Sequence, residues 1–378
     1  MISNLDNNKS NVTIIASKST WIEGEAIQQL QKTSELDGMQ YVVGLPDLHP
    51  GRGNPVGAAF ISKKVIYPYL IGNDVGCGIG LFMTDIKRNK IKKDKWINKL
   101  NDFEQPYDGD LELWQNDFAL KPSRFDFALG TIGGGNHFVE LQIVEKVYDQ
   151  ETFNELKMDK NFLSVLVHSG SRSMGDALLR KHTERYGAKG LFEDSEDALN
   201  YLDQHNEALK WAKCNRALIV NRFVLKLGAT CCPIIDACHN SITQISDDNQ
   251  MLWLHRKGAA PSDSGPILIP GSRGTLSYLV KPIGDQKTNA WSLAHGAGRK
   301  WNRGSCKGRL QDKYDAKSLI QTQNGNYVIC EDKDLLYEEA PQAYKNIDTV
   351  IEDMLQAGLI KIIATLSPII TYKMRKNR

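Results

Sequence analysis

The sequence predicts a mixed α/β (α+β) fold in which central β-sheets are surrounded by helices. Short β-branched apolar runs bounded by Gly, Pro and Asn recur along the chain, and stretches of helical periodicity separate them, the longest spanning residues 196–227. No run approaches the roughly 20 apolar residues needed to cross a bilayer. At 378 residues the chain can bury a large core, and neither an internal repeat nor a low-complexity linker divides it. Residues 1–378 are therefore expected to form a single domain. Lys and Arg total 47 against 45 Asp and Glu, which excludes a polycation and confines any basic surface to local patches. Seven cysteines, at 77, 214, 231, 232, 238, 306 and 330, make no disulfide framework in a chain of this size and indicate a reducing compartment. Met1 leads into polar residues and not an apolar run, so a cytoplasmic protein with no membrane segment is expected.

In chain order, residues 11–16 read as a strand and 21–32 as an amphipathic helix with Trp21, Ile22, Ala26, Ile27 and Leu30 on its apolar side. Tyr41-Val42-Val43 opens a strand that runs into the loop Pro46-Asp47-Leu48-His49-Pro50-Gly51-Arg52-Gly53, and loops that gather Asp, His and Arg are often functional. Strands are expected at 58–61, 65–69 and 80–85. The charged segment 87–127 carries a helical patch at 96–103, and Lys87-Arg88-Asn89-Lys90 through Lys95 reads as a solvated face. Alternation about Phe138 sets His137, Val139 and Leu141 on one side and Asn136, Phe138 and Glu140 on the other. Residues 162–167 form a buried strand ending on His168-Ser169-Gly170-Ser171-Arg172. The helix at 196–227 reads as scaffold, with Leu199, Leu202, Ala208 and Ala212 on its apolar side. Ile234-Ile235-Asp236-Ala237-Cys238 is a strand ending on His239, and 267–269 is a strand entering Pro270-Gly271-Ser272-Arg273-Gly274. Residues 344–373 close the chain with a helix and an apolar strand, leaving a basic tail at 373–378 as a solvated or frayed end.

The stretch Ile71-Gly72-Asn73-Asp74-Val75-Gly76-Cys77-Gly78-Ile79-Gly80 sets a carboxylate and a thiol three residues apart among four glycines, which would weaken a plain buried strand. A Gly-rich turn with an incidental cysteine accounts for it in isolation, and so does a metal loop. Five of the eight histidines, 137, 168, 239, 255 and 295, stand at element ends in Gly, Ser or Asn contexts. Together with Asp74 and Cys77 they supply the donor types of a transition-metal site, with enough ligands for two ions sharing the thiolate. Ligand softness suits zinc for a thiolate–imidazole set, while carboxylate and water suit manganese. The loops Thr131-Ile132-Gly133-Gly134-Gly135-Asn136 and Pro270-Gly271-Ser272-Arg273-Gly274 can cradle phosphates with backbone N–H groups, Arg273 adding bidentate charge. Neither has P-loop or dinucleotide-fingerprint spacing. Metal ligands with phosphate loops indicate phosphoryl or nucleotidyl transfer.

Asp74-Val75-Gly76-Cys77-Gly78, Gly133-Gly134-Gly135-Asn136-His137-Phe138, His168-Ser169-Gly170-Ser171-Arg172, His255-Arg256-Lys257-Gly258-Ala259, Pro270-Gly271-Ser272 and His295-Gly296-Ala297-Gly298-Arg299 resemble, in order, the signature motifs of the RtcB family. The resemblance runs from about Tyr41 to the C-terminus and implies a GTP-dependent RNA ligase that joins a 3′-phosphate or 2′,3′-cyclic phosphate end to a 5′-hydroxyl end. It implies an RtcB-like domain with its metal site at strand ends, where Asp74, Cys77, His137, His168 and His239 hold two manganese ions and Cys77 bridges. It makes His295 the nucleophile that becomes guanylylated, and puts Asn136, Glu140, Asn240, Ser272, Ser277, Gly296, Ala297, Gly298, Tyr344 and Lys373 around the guanylate. Arg52 stands where the family usually has an aromatic residue and Arg273 where Met is usual, departures that resemble a bacterial branch associated with release-factor-H-like proteins. That branch implies RNA repair, on tRNA or rRNA fragments, with an archease-like activator as a conceivable partner. The other readings are a metal-dependent 3′-end phosphodiesterase that does not ligate, and a non-catalytic RNA-end-binding module.

Overall fold

The β-branched runs pair into two principal sheets in the computed structural model, which describes residues 2–4, 11–322 and 324–376. The first sheet has the strand order Ile2–Asn4, Val12–Ile15, Met39–His49, Val56–Ser62, Gln250–Lys257, Asn240–Asp247. In the second the order is Cys231–Cys238, Gly78–Lys87, Phe162–Ser169, Phe138–Val147, Ile360–Met374, Ser277–Pro282, Ile267–Ile269, with Tyr327–Cys330 pairing in parallel onto Ile360–Met374.

Alternation distributes each strand's side chains between two cores. In the first sheet Val42, Ala58 and Phe60 pack with Ala26 and Leu30 of the helix Gly24–Ser34. Val43, Leu45, Ala59 and Leu254 face the other way, onto Val350, Ile351 and Met354 of the helix Ile347–Gln356 and onto Ile267, Ile269 and Val280 of the second sheet. That shared cluster joins the sheets into one unit. On the second sheet, Val139, Leu141, Val165 and Val167 pack against Ile219, Val220, Phe223 and Val224 of the long helix Glu196–Leu227. The helix starts where the Ser195 hydroxyl accepts the Ala198 N–H, and stops at Gly228, which takes the left-handed conformation.

Several expectations change in detail. The first helix begins at Gly24, after an extended Glu23, so Trp21 precedes it and is 52% exposed instead of joining its buried face. Leu199 is likewise exposed, because the first turns of the long helix bury Ala198, Tyr201 and Ala208 instead, against Ile66, Val75, Ile242 and Trp253. The strand expected at 65–69 stops at Ile66, where Pro68, lacking an N–H for a ladder, opens a 3-10 turn. The strand from Met39 instead continues through Pro46 to His49, with a register break after Gly44. Lys87 to Lys90 are exposed, as a solvated face requires. The C-terminal basic stretch is no frayed end over its described part: Lys373 is buried and Arg375 pairs with Glu331 at 2.9 Å, while Asn377 and Arg378 lie outside the described residues. All seven cysteines are free, and Cys232 is exposed. No helix is long and apolar enough to cross a membrane among the described residues.

Candidate active site

Four neighbouring strands of the second sheet end in register, and this carries the ligands together. Cys238 pairs with Gly78, Gly78 with Ser169, Ile79 with His168, and His168 with Phe138. The residues at or just beyond these pairs are Cys77, His137, His168 and His239, so one edge of a hydrogen-bonded ladder presents three imidazoles and a thiol. The His239 N–H also donates to the Cys77 carbonyl at 2.8 Å. Cys77 Sγ lies 3.1 Å from His168 Nε2 and 3.5 Å from His137 Nε2; His168 and His239 approach Nε2 to Nε2 at 3.3 Å, and His137 Nε2 is 2.8 Å from Asp74 Oδ2. Two ligand groups result, Asp74–Cys77–His137 and Cys77–His168–His239, with the sulfur common to both.

The donor set fits cations. Asp74 Oδ1 is buried without a hydrogen-bond partner, a costly state for a carboxylate oxygen unless an ion completes it. Burial, reinforced by neighbouring imidazoles, holds His168 and His239 well below the usual histidine range, so both are neutral, as ligands must be. Burial and then Asp74 push the Cys77 thiol up, leaving it protonated until a cation displaces the proton. For Asp74 itself, burial raises the pKa, but His137 outweighs it and the carboxyl lies below its ordinary value. The glycines are explained by approach distances. A Cβ on Gly76, at φ +78°, would meet Ala212 Cβ at 2.7 Å, and one on Gly133, at φ +88°, would overlap the Arg172 guanidinium. Arg172 itself sits at φ +58°, a strained conformation for a side-chain-bearing residue, with Nη1 3.4 Å from His137 Nδ1.

The long helix does more than support. Arg216, 1% exposed, donates to both Asp236 carboxylate oxygens at 2.8 and 2.6 Å and to the carbonyls of Gly76 and Ser169. Asn215 bridges Gly130, Ser169 and Gly170. These two adjacent buried polar residues thus clamp the backbone next to Cys77 and His168.

His295 stands beside this cluster, its ring centroid 4.7 Å from that of His239. Asp47, fully buried, receives the His295 Nδ1–H at 2.6 Å and the His295 backbone N–H at 3.2 Å. The continuation of the strand through Pro46 makes this possible, and Lys345 secures it by donating to the carbonyls of Pro46 and Leu48. With Nδ1 occupied as donor, Nε2 retains its lone pair.

A cavity of about 240 Å³ opens next to His295. Of the residues expected around a guanylate, Asn136, Glu140, Ser272, Gly296, Ala297, Gly298, Tyr344 and Lys373 line it together with His295. Asn240 and Ser277 do not: Asn240 braces the Asp74 carbonyl and the Gly258 N–H, and Ser277 accepts from Gln142. Burial lifts Glu140 to about 7, although Thr371 and Gln142 donate to its oxygens. Glu339 organises a cluster of charges in the cavity lining. It pairs with Arg299 at 3.1 Å, Lys373 at 3.5 Å and Arg303 at 3.6 Å, and accepts the Tyr344 hydroxyl. Burial alone would raise its pKa; Lys373 and the arginines hold it at about 2.

Two sequence-based expectations need correction. Arg273 does not offer a free bidentate fork: its Nε and Nη2 donate to the carbonyls of Glu339 and Leu336, capping the end of the helix Lys333–Glu338, whose last carbonyls lack intrahelical donors. His255 is no ligand. Its Nε2 accepts the Tyr67 N–H at 2.9 Å, and the fully buried ring takes no part in either cluster of metal-binding side chains. Sequence reasoning assigned no role to Asp47 or Glu339. Asp47 lay in a loop already marked as functional, whereas Glu339, among ordinary helix-end residues, carried no signal.

Comparison with known proteins gives a consistent picture. The family profile described as tRNA-splicing ligase RtcB matches residues 29–107 and 109–374. The RNA-splicing ligase RtcB2 of Escherichia coli strain ATCC 25922 is 48% identical, over 96% of this chain and 95% of that protein. The RNA-splicing ligase RtcB1 of the same strain is 26% identical over 94% and 96%, and the tRNA-splicing ligase RtcB of Archaeoglobus fulgidus 27% over 92% and 91%.

Proposed function

The chain belongs to the RtcB family, and from that premise we propose that it is a GTP-dependent RNA ligase that joins 3′-phosphate or 2′,3′-cyclic phosphate ends to 5′-hydroxyl ends through a guanylylated His295. The observation that carries this reading is the Asp47–His295 pair, which leaves one imidazole nitrogen nucleophilic beside both the ligand cluster and the cavity. In the first step His295 Nε2 attacks the α-phosphorus of GTP, the N–P bond forms and pyrophosphate leaves, while His295 keeps its Nδ1 proton, hydrogen-bonded to the Asp47 carboxylate, which stabilises the charge that develops on the ring. A cyclic phosphate end is opened by water to a 3′-phosphate. An oxygen of that phosphate then takes GMP from His295, and the 5′-hydroxyl displaces GMP to seal the strand.

Asp74, Cys77, His137, His168 and His239 would hold two manganese ions, which supply charge neutralisation and alignment at phosphate oxygens when bound. Glu140 and Lys373, both buried in the cavity wall, suit the hydrogen-bonding edge of guanine, with Tyr344 beside them. Identity is 48% to the RNA-splicing ligase RtcB2 and 26% to RtcB1 of one strain, which groups the chain with RtcB2; the role in RNA repair rests on the Arg52 and Arg273 departures from the family pattern. The test is incubation with α-labelled GTP and manganese, followed by denaturing electrophoresis. Acid-labile label on the wild type that is absent from His295→Ala is the expected result; folded, manganese-loaded protein that takes no label overturns the reading.

A further inference from the structure

A second cavity, of about 990 Å³, adjoins the guanylate pocket and shares His49, Val56, Arg299 and Arg303 with it. Besides these and Asn73, its walls come from three stretches: Trp21, Glu23 and Glu25 before and at the first helix, Pro50 to Arg52 of the early loop, and residues between Lys300 and Arg309 following the His295 loop. Five cations face two carboxylates there. Arg299 and Arg303 are engaged by Glu339, but among the described residues Arg52, Lys300 and Arg309 have no ion-pair partner, and all three are exposed. The groove also holds two tryptophans. Trp21 is 52% exposed, and Trp301 lies under the Arg309 guanidinium, 5.2 Å from its ring centroid.

We infer that this groove binds the unpaired 3′-terminal nucleotides of the RNA strand that carries the 3′-phosphate, an assignment that rests on the ligase reading above. Unspent cations call for a polyanion, and the exposed Trp21 indole calls for a base whose face is free, a combination that selects single-stranded RNA over duplex. The groove has about four times the volume of the pocket that takes one nucleotide, so it accommodates several. The shared wall of His49, Arg299 and Arg303 sets the strand's terminal phosphate next to His295, and in the proposed chemistry the group that meets the guanylate is the 3′-phosphate. Trp21 and Arg52 are then determinants of substrate choice that lie outside the catalytic machinery.

The test measures binding of a short labelled 3′-phosphorylated single-stranded RNA, without GTP, against its blunt duplex and against the same strand bearing a 5′-hydroxyl but no 3′-phosphate. The 3′-phosphorylated single strand is expected to bind at least about tenfold tighter than either. Trp21→Ala should weaken it by roughly 5- to 100-fold, with Trp21→Phe restoring most of the loss. Arg52→Ala combined with Lys300→Ala should flatten the log–log salt dependence by about 1.4. Each variant should still take label from GTP at the wild-type rate. Equal binding of duplex, or unchanged binding by Trp21→Ala, overturns the inference, as does Trp21-dependent binding confined to the 5′-hydroxyl strand. Failure of the wild type to label itself would strike the ligase reading alone, since the binding data stand without GTP.

Discussion

The His/Cys/Asp cluster at the end of the second sheet and the wall of the proposed guanylate cavity meet at His295 but are held by different forces. Cys77, His137, His168 and His239 sit at the ends of adjacent strands whose backbone ladder sets their spacing, so rigid secondary structure does the positioning. Asp47, Tyr344, Lys373, Arg299 and Arg303 instead arrive from distant segments, and a network of buried charges centred on Glu339 holds most of them. Ladder positions tolerate the loss of one ligand side chain without moving the rest, whereas removing one member of a buried charge network leaves its partners uncompensated.

That contrast predicts different failures. The largest effect is expected at the metal end and should be local: Cys77→Ala abolishes RNA joining and removes the thermal stabilisation by manganese, which for the wild type at about 100 times its dissociation constant amounts to ~2.7 kcal/mol, while the metal-free melting temperature changes little. A metal-free Cys77→Ala protein that fails to fold would erase the distinction. Next, Asp47→Asn should slow self-guanylylation by roughly 10²- to 10⁴-fold in a folded protein, because an amide neither enforces the Nδ1–H tautomer nor stabilises the charged ring; single-turnover labelling reads this.

Glu339→Gln tests the network. Its expected cost is about 3–5 kcal/mol in chemical denaturation, with weaker GTP binding as Lys373 and Arg299 lose their common partner. The sign of the accompanying pH effect follows from its depressed pKa. Glu339 binds a proton less readily folded than unfolded, so its contribution is present above about pH 4.5, the ordinary carboxyl value, and is lost as pH falls toward about 2. The variant should lack that part of the wild type's acid destabilisation. Glu140 behaves in the opposite sense. With a folded-state pKa raised to about 7 it favours the protonated fold, and it becomes a full acceptor only above that pH, so the KM for GTP should fall as pH rises through 7, a dependence absent in Glu140→Gln. His255→Leu should have the smallest functional effect: a loss of about 1–3 kcal/mol in stability from the unpaired Tyr67 N–H, with activity per folded molecule unchanged.

The sequence by itself determined the mixed α/β class, the bounds of the long helix, and the ligand motifs. Each of these depends on residues close in the chain: periodicity and caps for Glu196–Leu227, and short Gly-bounded clusters for Asp74, Cys77, His137, His168 and His239. Even the alternation that puts Phe138 and Glu140 on the cavity side and Val139 and Leu141 in the core is a local property of an extended chain. Tertiary structure decided what depends on remote partners. Whether a histidine near a strand end joins a cluster of candidate ligands or serves as a core acceptor separates His239 from His255, and only the neighbouring strands distinguish them. Arg273, free to meet a phosphate by its sequence context, is drawn to the carbonyls at a helix end more than 60 residues away. Asp47 and Glu339 acquire their roles because burial makes an unpaired charge so costly that each must be met by donors the fold brings to it, and no local pattern encodes where those donors come from.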